Sequence, residues 1–283
     1  MDRVDSLLTV LHCIGSRSDL TALAFKSEGE LVVLGNGPSL KTTLAAHLDF
    51  LKGKSKLCVN EFAHSEYYER LKPEYYVLYD PAYYRQAPAK HVAEQIARDF
   101  ETIRDKTTWP LKILMPVQAK QWNHFMGLPE LNENIEIYYF NCNTVSGEPA
   151  IRNYLYDTNK AMPFSYNTLC ASIYLGVLLG HKKIYVDGAD HSWHEDITVG
   201  DDNKLYWRNP HFFDGREPEL RPIYVDSYEK VTFKMHEILH SLSLMFQGYQ
   251  GVEEYAKYRK AKVYNISSKS YIDAFERQRL GQK

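Results

Sequence analysis

The sequence has no uninterrupted apolar run near the ~18 to 20 residues that a membrane-spanning helix needs. Its opening residues, Met1-Asp2-Arg3-Val4-Asp5, also lack the basic-then-apolar order of a signal peptide, so neither a secreted nor a spanning chain is expected. Cysteine is scarce. Cys13, Cys58, Cys142 and Cys170 are scattered without a CxxC pair, which reads as four reduced thiols in a cytoplasmic protein. An excess of positive charge is missing too: 34 Lys and Arg against 36 Asp and Glu leave a net charge of −2, too little basic surface for a nucleic-acid partner. Repeats and low-complexity linkers are absent. Two familiar phosphate motifs are incomplete at one residue, Leu40. A dinucleotide fingerprint needs its third glycine there, and a Walker A loop needs glycine there, directly before Lys41-Thr42.

What the sequence does have is a core. Of 283 residues 44% are hydrophobic, enough for one large α/β domain with or without a lid. The most informative stretch is Leu31-Val32-Val33-Leu34-Gly35-Asn36-Gly37-Pro38-Ser39-Leu40, a buried strand breaking into a loop. Gly35 and Gly37 let backbone approach a ligand, Pro38 fixes φ, Ser39 caps the next helix, and a helix N-terminus attracts anions. Asn36 would project into such a site. The same residue types also make plain strand-to-helix turns.

Strands and helices alternate after that loop: helix Lys41–Leu51, strand Lys56–Asn60, helix Glu66–Leu71, strand Tyr75–Asp80, helix Ala89–Ile103 and strand Leu111–Met115. Strand Ile135–Phe140 precedes a loop, and the apolar helix Thr168–Leu179 feeds strand Lys183–Val186. This pattern predicts a doubly wound, mainly parallel, Rossmann-like α/β sheet, whose ligands sit beyond the carboxyl ends of the strands. Asn36, Asn60, Asp80 and the run Asp187-Gly188-Ala189-Asp190-His191 each follow a strand, so they are expected around one crevice. Residues 192–225 break the pattern with aromatics, His and carboxylates and read as a lid. Helices over 226–246 and 249–260, strand Lys262–Ile266 and a closing helix over 272–277 complete the expected order. Residues 1–30 are read as an N-terminal helical extension, with an amphipathic helix over 4–14. That helix and the many tyrosines, 22 in all, suit a contact with a second copy or with the inner face of a membrane.

With these elements in place the chain resembles the bacterial sialyltransferases of lipo-oligosaccharide synthesis and the surface-polysaccharide proteins that share their nucleotide-binding domain. Four pieces carry the resemblance over roughly residues 30–270. Leu34-Gly35-Asn36-Gly37-Pro38-Ser39-Leu40 is similar to the first-strand motif that holds CMP, and Cys58-Val59-Asn60 to the second-strand asparagine. Leu78-Tyr79-Asp80-Pro81 aligns with an asparagine-proline, with Asp80 in place of the asparagine. Asn167-Thr168 through Asp187-Gly188-Ala189-Asp190 resembles a helix start and a following strand, with Thr168 where a serine binds cytidine and sugar. The resemblance implies a single GT-A-like domain over residues 31–283, with the lid at about 192–225. It implies a transferase that takes a CMP-activated sialic or other ulosonic acid, needs no cofactor, and acts on a glycan or glycolipid acceptor. The family's first lid tyrosine is Ser192 here, so Tyr206 or His191 would face the phosphate. The family's catalytic histidine lies between lid and last helix, a role open to His191, His211 and His236, with His240 also available.

Two other readings stay open. His191, His194, Glu195 and Asp196 have a spacing that lets two or three share a metal ion, and Asp80, Asp187 and Asp190 around a triphosphate would fit a magnesium-dependent diphosphokinase like that of the pterin enzymes. A non-catalytic nucleotide-sugar-binding subunit would account for the missing lid tyrosine.

Overall fold

The computed structural model describes Cys13 and residues 18–84, 86, 88–145, 147–208, 211–213, 219–226 and 231–281. Apart from Cys13, the helix expected over 4–14 lies outside the described residues, as do Pro210 and Gly215 of the expected lid. In chain order the elements are β1 (Glu30–Leu34), α1 (Leu40–Ala46), β2 (Ser55–Val59), α2 (Tyr67–Leu71), β3 (Tyr75–Val77), α3 (Lys90–Lys106) and β4 (Leu111–Pro116). There follow α4 (Leu128–Leu131), β5 (Ile135–Phe140), α5 (Pro149–Asp157), α6 (Thr168–Leu179) and β6 (Lys183–Asp187). The short strands β7 (Thr198–Val199), β8 (Leu205–Trp207), β9 (Arg221–Pro222), β10 (Tyr224–Asp226) and β11 (Val231–Thr232) lead to α7 (Met235–Tyr258), β12 (Lys262–Asn265) and β13 (Glu276–Arg277).

Eight strands form one sheet in the order β13-β12-β6-β1-β2-β3-β4-β5, and each neighbouring pair is parallel. This is a Rossmann-like α/β fold. Parallel sheets are covered on both faces and their central strands read as continuous apolar runs. In β1, Leu31, Val32, Val33 and Leu34 are all fully buried. Leu31 and Val33 enter a core shared with α6 and α7, while Val32 and Leu34 enter a second core shared with α1 and α3.

The helix α6 is buried at all twelve residues because it lies flat on the sheet. Gly176 permits this approach, since a Cβ there would come within 2.6 Å of Leu31 Cδ2. Asn167 accepts a hydrogen bond from Cys170 N at 2.8 Å and caps the helix start, and Gly180, at φ +118°, ends it in the left-handed conformation.

The C-terminal third departs from the sequence reading in two ways. Helices expected over 226–246 and 249–260 are one helix, α7, which runs through Gly248 and Gly251. Gly248 sits inside it because a Cβ would meet Phe164 O at 2.6 Å, so this glycine serves packing and does not break the helix. The closing helix expected over 272–277 is absent. Ile272 and Phe275 are buried there, and Glu276 and Arg277 pair with Tyr264 and Asn265 to extend the sheet edge as β13.

Between β6 and α7 the aperiodic segment carries small sheets of its own, β7-β8-β9 and β10-β11. Leu205 and Ile223 of this segment pack against Ile238 in the first turn of α7. The helix α5, which the sequence reading passed over, starts where Glu148 accepts from Ala150 N and Ile151 N with Pro149 at the first position. Among the described residues no helix is long and apolar enough to cross a membrane.

Candidate functional site

From β1 to β5 the strands are laid down outward in one direction. The chain then crosses back through α5 and α6 and places β6 on the other side of β1, so the strand order reverses between β1 and β6. Such a reversal separates the two strand-end loops and opens a crevice for a ligand. A cavity of about 510 Å³ lies there, a size within the ordinary range for ligand sites.

Ten of the residues expected at the site meet this cavity. Gly35, Asn36, Gly37 and Pro38 come from the end of β1, Asn60 from β2 and Asp80 from beyond β3. Thr168 comes from the start of α6, Asp190 and His191 from the loop after β6, and His211 from the inserted segment. The asparagines are held firmly. Asn36 Nδ2 donates to Val59 O at 3.2 Å, and its Oδ1 is buried with no partner. Asn60, in the left-handed conformation at φ +48°, accepts from Thr168 Oγ1 at 3.3 Å and tethers α6 to β2.

The glycines do something other than expected. Gly35 N donates to Asp187 O at 2.8 Å and Gly37 N to Gly188 O at 2.9 Å, so the loops after β1 and β6 cross backbone against backbone. A Cβ on Gly35 would lie 2.5 Å from Gly188 O, and one on Gly37 would lie 2.1 Å from Asp190 Oδ2. The close approach that requires glycine is therefore to the neighbouring loop. Ser39 is buried and faces that loop as well: its N–H donates to Asp190 Oδ1 at 3.1 Å and its hydroxyl to Oδ2 at 2.6 Å. The amides of Gly35, Gly37 and Ser39, expected to hold a phosphate, are all engaged within the chain, and the carboxylate of Asp190 stands in front of the start of α1. Burial raises the pKa of Asp190, and the bonds from Ser39 pull it down.

Asp187, Tyr206 and His236 also miss the cavity. Asp187, the last residue of β6, is fully buried: Oδ1 accepts from Gly188 N at 2.8 Å and Oδ2 has no partner. Burial pushes its pKa up to about 7, against a weaker pull from Thr43. Tyr206, on β8, donates to Asp202 Oδ2 at 3.0 Å because the β7–β8 turn brings that carboxylate to it. His236 is exposed on the first turn of α7.

His191 reaches the cavity as a buried ring. Its Nε2 lies 2.6 Å from the hydroxyl of Tyr249, which itself donates to Asn167 Oδ1 at 3.1 Å, and its ring packs on Trp193 with centroids 4.6 Å apart. Burial pushes its pKa down to about 3, so the ring is uncharged at neutral pH and takes up protons poorly. His211 is half-buried at the cavity, stacked parallel on Phe213, and the adjoining Phe212 N donates to Asn36 O at 2.9 Å.

The metal cluster read from His191, His194, Glu195 and Asp196 does not form. His191 turns to Tyr249, and His194 meets Tyr271 edge-on. Glu195 bonds Lys269 and Tyr271, and Asp196 lies 3.9 Å from Arg208. Among the described residues no three His, Cys, Asp or Glu side chains gather as metal ligands. Of the acidic set of the diphosphokinase reading, Asp80 and Asp190 line the cavity, Asp190 bound to Ser39, while Asp187 is buried away from it.

Glu61 and Arg208 line the cavity without having been read from the sequence. Glu61 is the second residue of the helical turn after β2, and its pKa is pushed up to about 7, by burial first and then by the charges of Asp99 and Asp80, while its own backbone N–H and His64 lower it. Arg208 follows β8 and is the only lysine or arginine lining the cavity among the described residues.

No family model and no curated protein matches the sequence. Among solved structures the fold is similar to the MAf glycosyltransferase from Magnetospirillum magneticum AMB-1, with a TM-score of 0.49 and 10% identity over 88% of this chain. The chain spans about a third of that protein's length, 33%.

Proposed function

We propose that the chain is a glycosyltransferase that takes a nucleotide-activated sugar, with a CMP-activated sialic or other ulosonic acid as donor and a bacterial surface glycan or glycolipid as acceptor. The observation that carries this reading is the meeting of Asn36, Asn60 and Thr168 in one cavity at the reversal of strand order, with Asn36 Oδ1 buried and unpartnered. These are the positions at which the resemblance implies nucleotide contacts. A buried carbonyl oxygen without a donor is costly, and an amino or hydroxyl group of a nucleoside removes that cost.

Because the amides of Gly35, Gly37 and Ser39 are engaged within the chain, we assign the phosphate to the inserted segment. Arg208 and His211 approach the cavity from that side and supply the donors that a departing phosphate needs. Residues 192–225 then act as the lid that carries these donors.

Melting temperatures with CMP, CDP, UMP, UDP, GDP and ATP, each with and without magnesium, test this reading. CMP should stabilise the chain without metal, by about 2.7 kcal/mol at a hundred times its dissociation constant. Asn36→Ala should lose that response while giving up only about 1 kcal/mol of stability through its bond to Val59. A response confined to ATP with magnesium, or equal CMP affinity in Asn36→Ala, would overturn it.

A further inference from the structure

Transfer of a sugar to a hydroxyl needs a group that takes the hydroxyl proton, and no histidine of the cavity wall near the nucleotide positions suits that role well. His191 is buried against Tyr249 and Trp193, and His211 stands with Arg208 on the side assigned to the phosphate. The wall formed by the segments after β2 and β3 holds Glu61 and Asp80.

From this placement we infer that Glu61 accepts the proton of the acceptor hydroxyl. In the step, the acceptor O–H bond breaks and its proton moves to a carboxylate oxygen of Glu61. The acceptor oxygen bonds to the anomeric carbon, the bond from that carbon to the phosphate oxygen breaks, and its electron pair leaves on the nucleotide. Glu61 then releases the proton to solvent. This assignment rests on the transferase reading.

The surroundings fit the task. The turn Asn60–His64 is pinned by the buried hydroxyl of Tyr76, which accepts from Ala63 N at 2.9 Å and donates to Asn60 O. Behind Glu61, on α3, Asp99 is 1% exposed and is held by His64 Nε2 at 2.6 Å, Gln95 Nε2 at 2.9 Å and the Tyr83 hydroxyl at 3.4 Å. Lys106, also on α3, is turned to Ala63 O at 3.0 Å. Asp80 bears on Glu61 from the segment after β3. Burial first, and then two neighbouring negative charges, hold the Glu61 proton near neutral pH, the range in which a general base works best.

The test uses Glu61→Gln in the full chain, with Glu61→Asp as a second variant, and follows nucleotide release from CMP-N-acetylneuraminate, UDP-N-acetylglucosamine and GDP-mannose. The wild-type rate should rise with pH and level off above about 7. Glu61→Gln should keep its thermal response to CMP, lose about 100-fold or more in kcat and lose the rise with pH, and Glu61→Asp should recover part of both. A Glu61→Gln rate within about threefold of wild type with the same pH profile would remove Glu61 as the base and leave the transferase reading standing, since a lost base costs far more than that. A wild-type chain that releases nucleotide from no sugar and is stabilised by no nucleotide would overturn both.

Discussion

Replacing Asp187 with Asn should change how stability depends on pH, and the structure gives the sign and size. Asp187 closes β6 with no exposed surface, with one oxygen on Gly188 N and Thr43 as a further, weaker hydrogen-bonding neighbour. Its folded pKa is raised from 3.8 to about 7, so between those values the folded chain keeps a proton that the unfolded chain has released. Its contribution to stability is full below about 3.8 and is lost as pH rises through about 7. A shift of about three units corresponds to about 4 kcal/mol in total, of which roughly 2 to 3 kcal/mol falls between pH 5 and pH 8. Asn keeps the acceptor for Gly188 N and does not titrate. Urea unfolding followed by tryptophan fluorescence at pH 5, 6, 7 and 8 measures the difference. Wild type should lose roughly 2 to 3 kcal/mol more than Asp187→Asn across that range. Parallel stability curves would show that the carboxyl is not held protonated, and the account of a buried, half-partnered Asp187 would fall. Glu61→Gln should remove a further fall in the same window, because its raised pKa has the same sign.

Gly37→Ala should destabilise the chain by about 3 kcal/mol or more, because a Cβ there collides with Asp190 Oδ2 and Gly188 O and parts the two crossed loops; an unchanged melting temperature would refute the crossing. Among the histidines, His211→Ala should keep CMP stabilisation but release nucleotide from a donor sugar at least about tenfold more slowly, since single donors to a developing oxyanion are worth that much or more. His236→Ala should leave both readouts unchanged, and His191→Ala should lower stability by roughly 1 to 3 kcal/mol by removing one of the two partners of the buried Tyr249 hydroxyl. Full activity in His211→Ala would place the phosphate elsewhere.

The sheet was legible because a parallel sheet leaves a strong record. Strands buried on both faces need unbroken apolar runs, and Leu31–Leu34, Tyr75–Val77 and Lys183–Asp187 fall where those runs occur. The all-buried helix Thr168–Leu179 was equally plain, with Asn before it and Gly after it. The errors fall where one residue type serves two purposes. Gly248 falls in the gap between the helices expected over 226–246 and 249–260 and is a packing contact with Phe164 inside one helix, and the segment expected as a closing helix over 272–277 extends the sheet edge beside β12.

At the site, positions were readable and roles were not. Asn36, Asn60, Thr168 and Asp190 all reach the cavity because each follows a strand end or precedes a helix at the reversal, and topology alone dictates that. Asp190, however, is bound to Ser39 and the glycines face the β6 loop, since the crossing of two loops depends on a residue some 150 positions away. Glu61 shows the same limit from the other direction. Next to Asn60 in the sequence it is an ordinary turn residue with no spacing that marks it. Its character comes first from burial, then from Asp99, 38 positions further on, which α3 brings behind it, and from Asp80 beyond β3. An acid in water at a strand end would be ionised and a weak base at pH 7. The same acid with two negative neighbours and little water becomes a group that exchanges its proton near neutrality. The chemistry of this cavity is therefore set by which charges the fold encloses together, so variants of Asp99 and Asp80 should move the pH profile of any reaction that Glu61 serves.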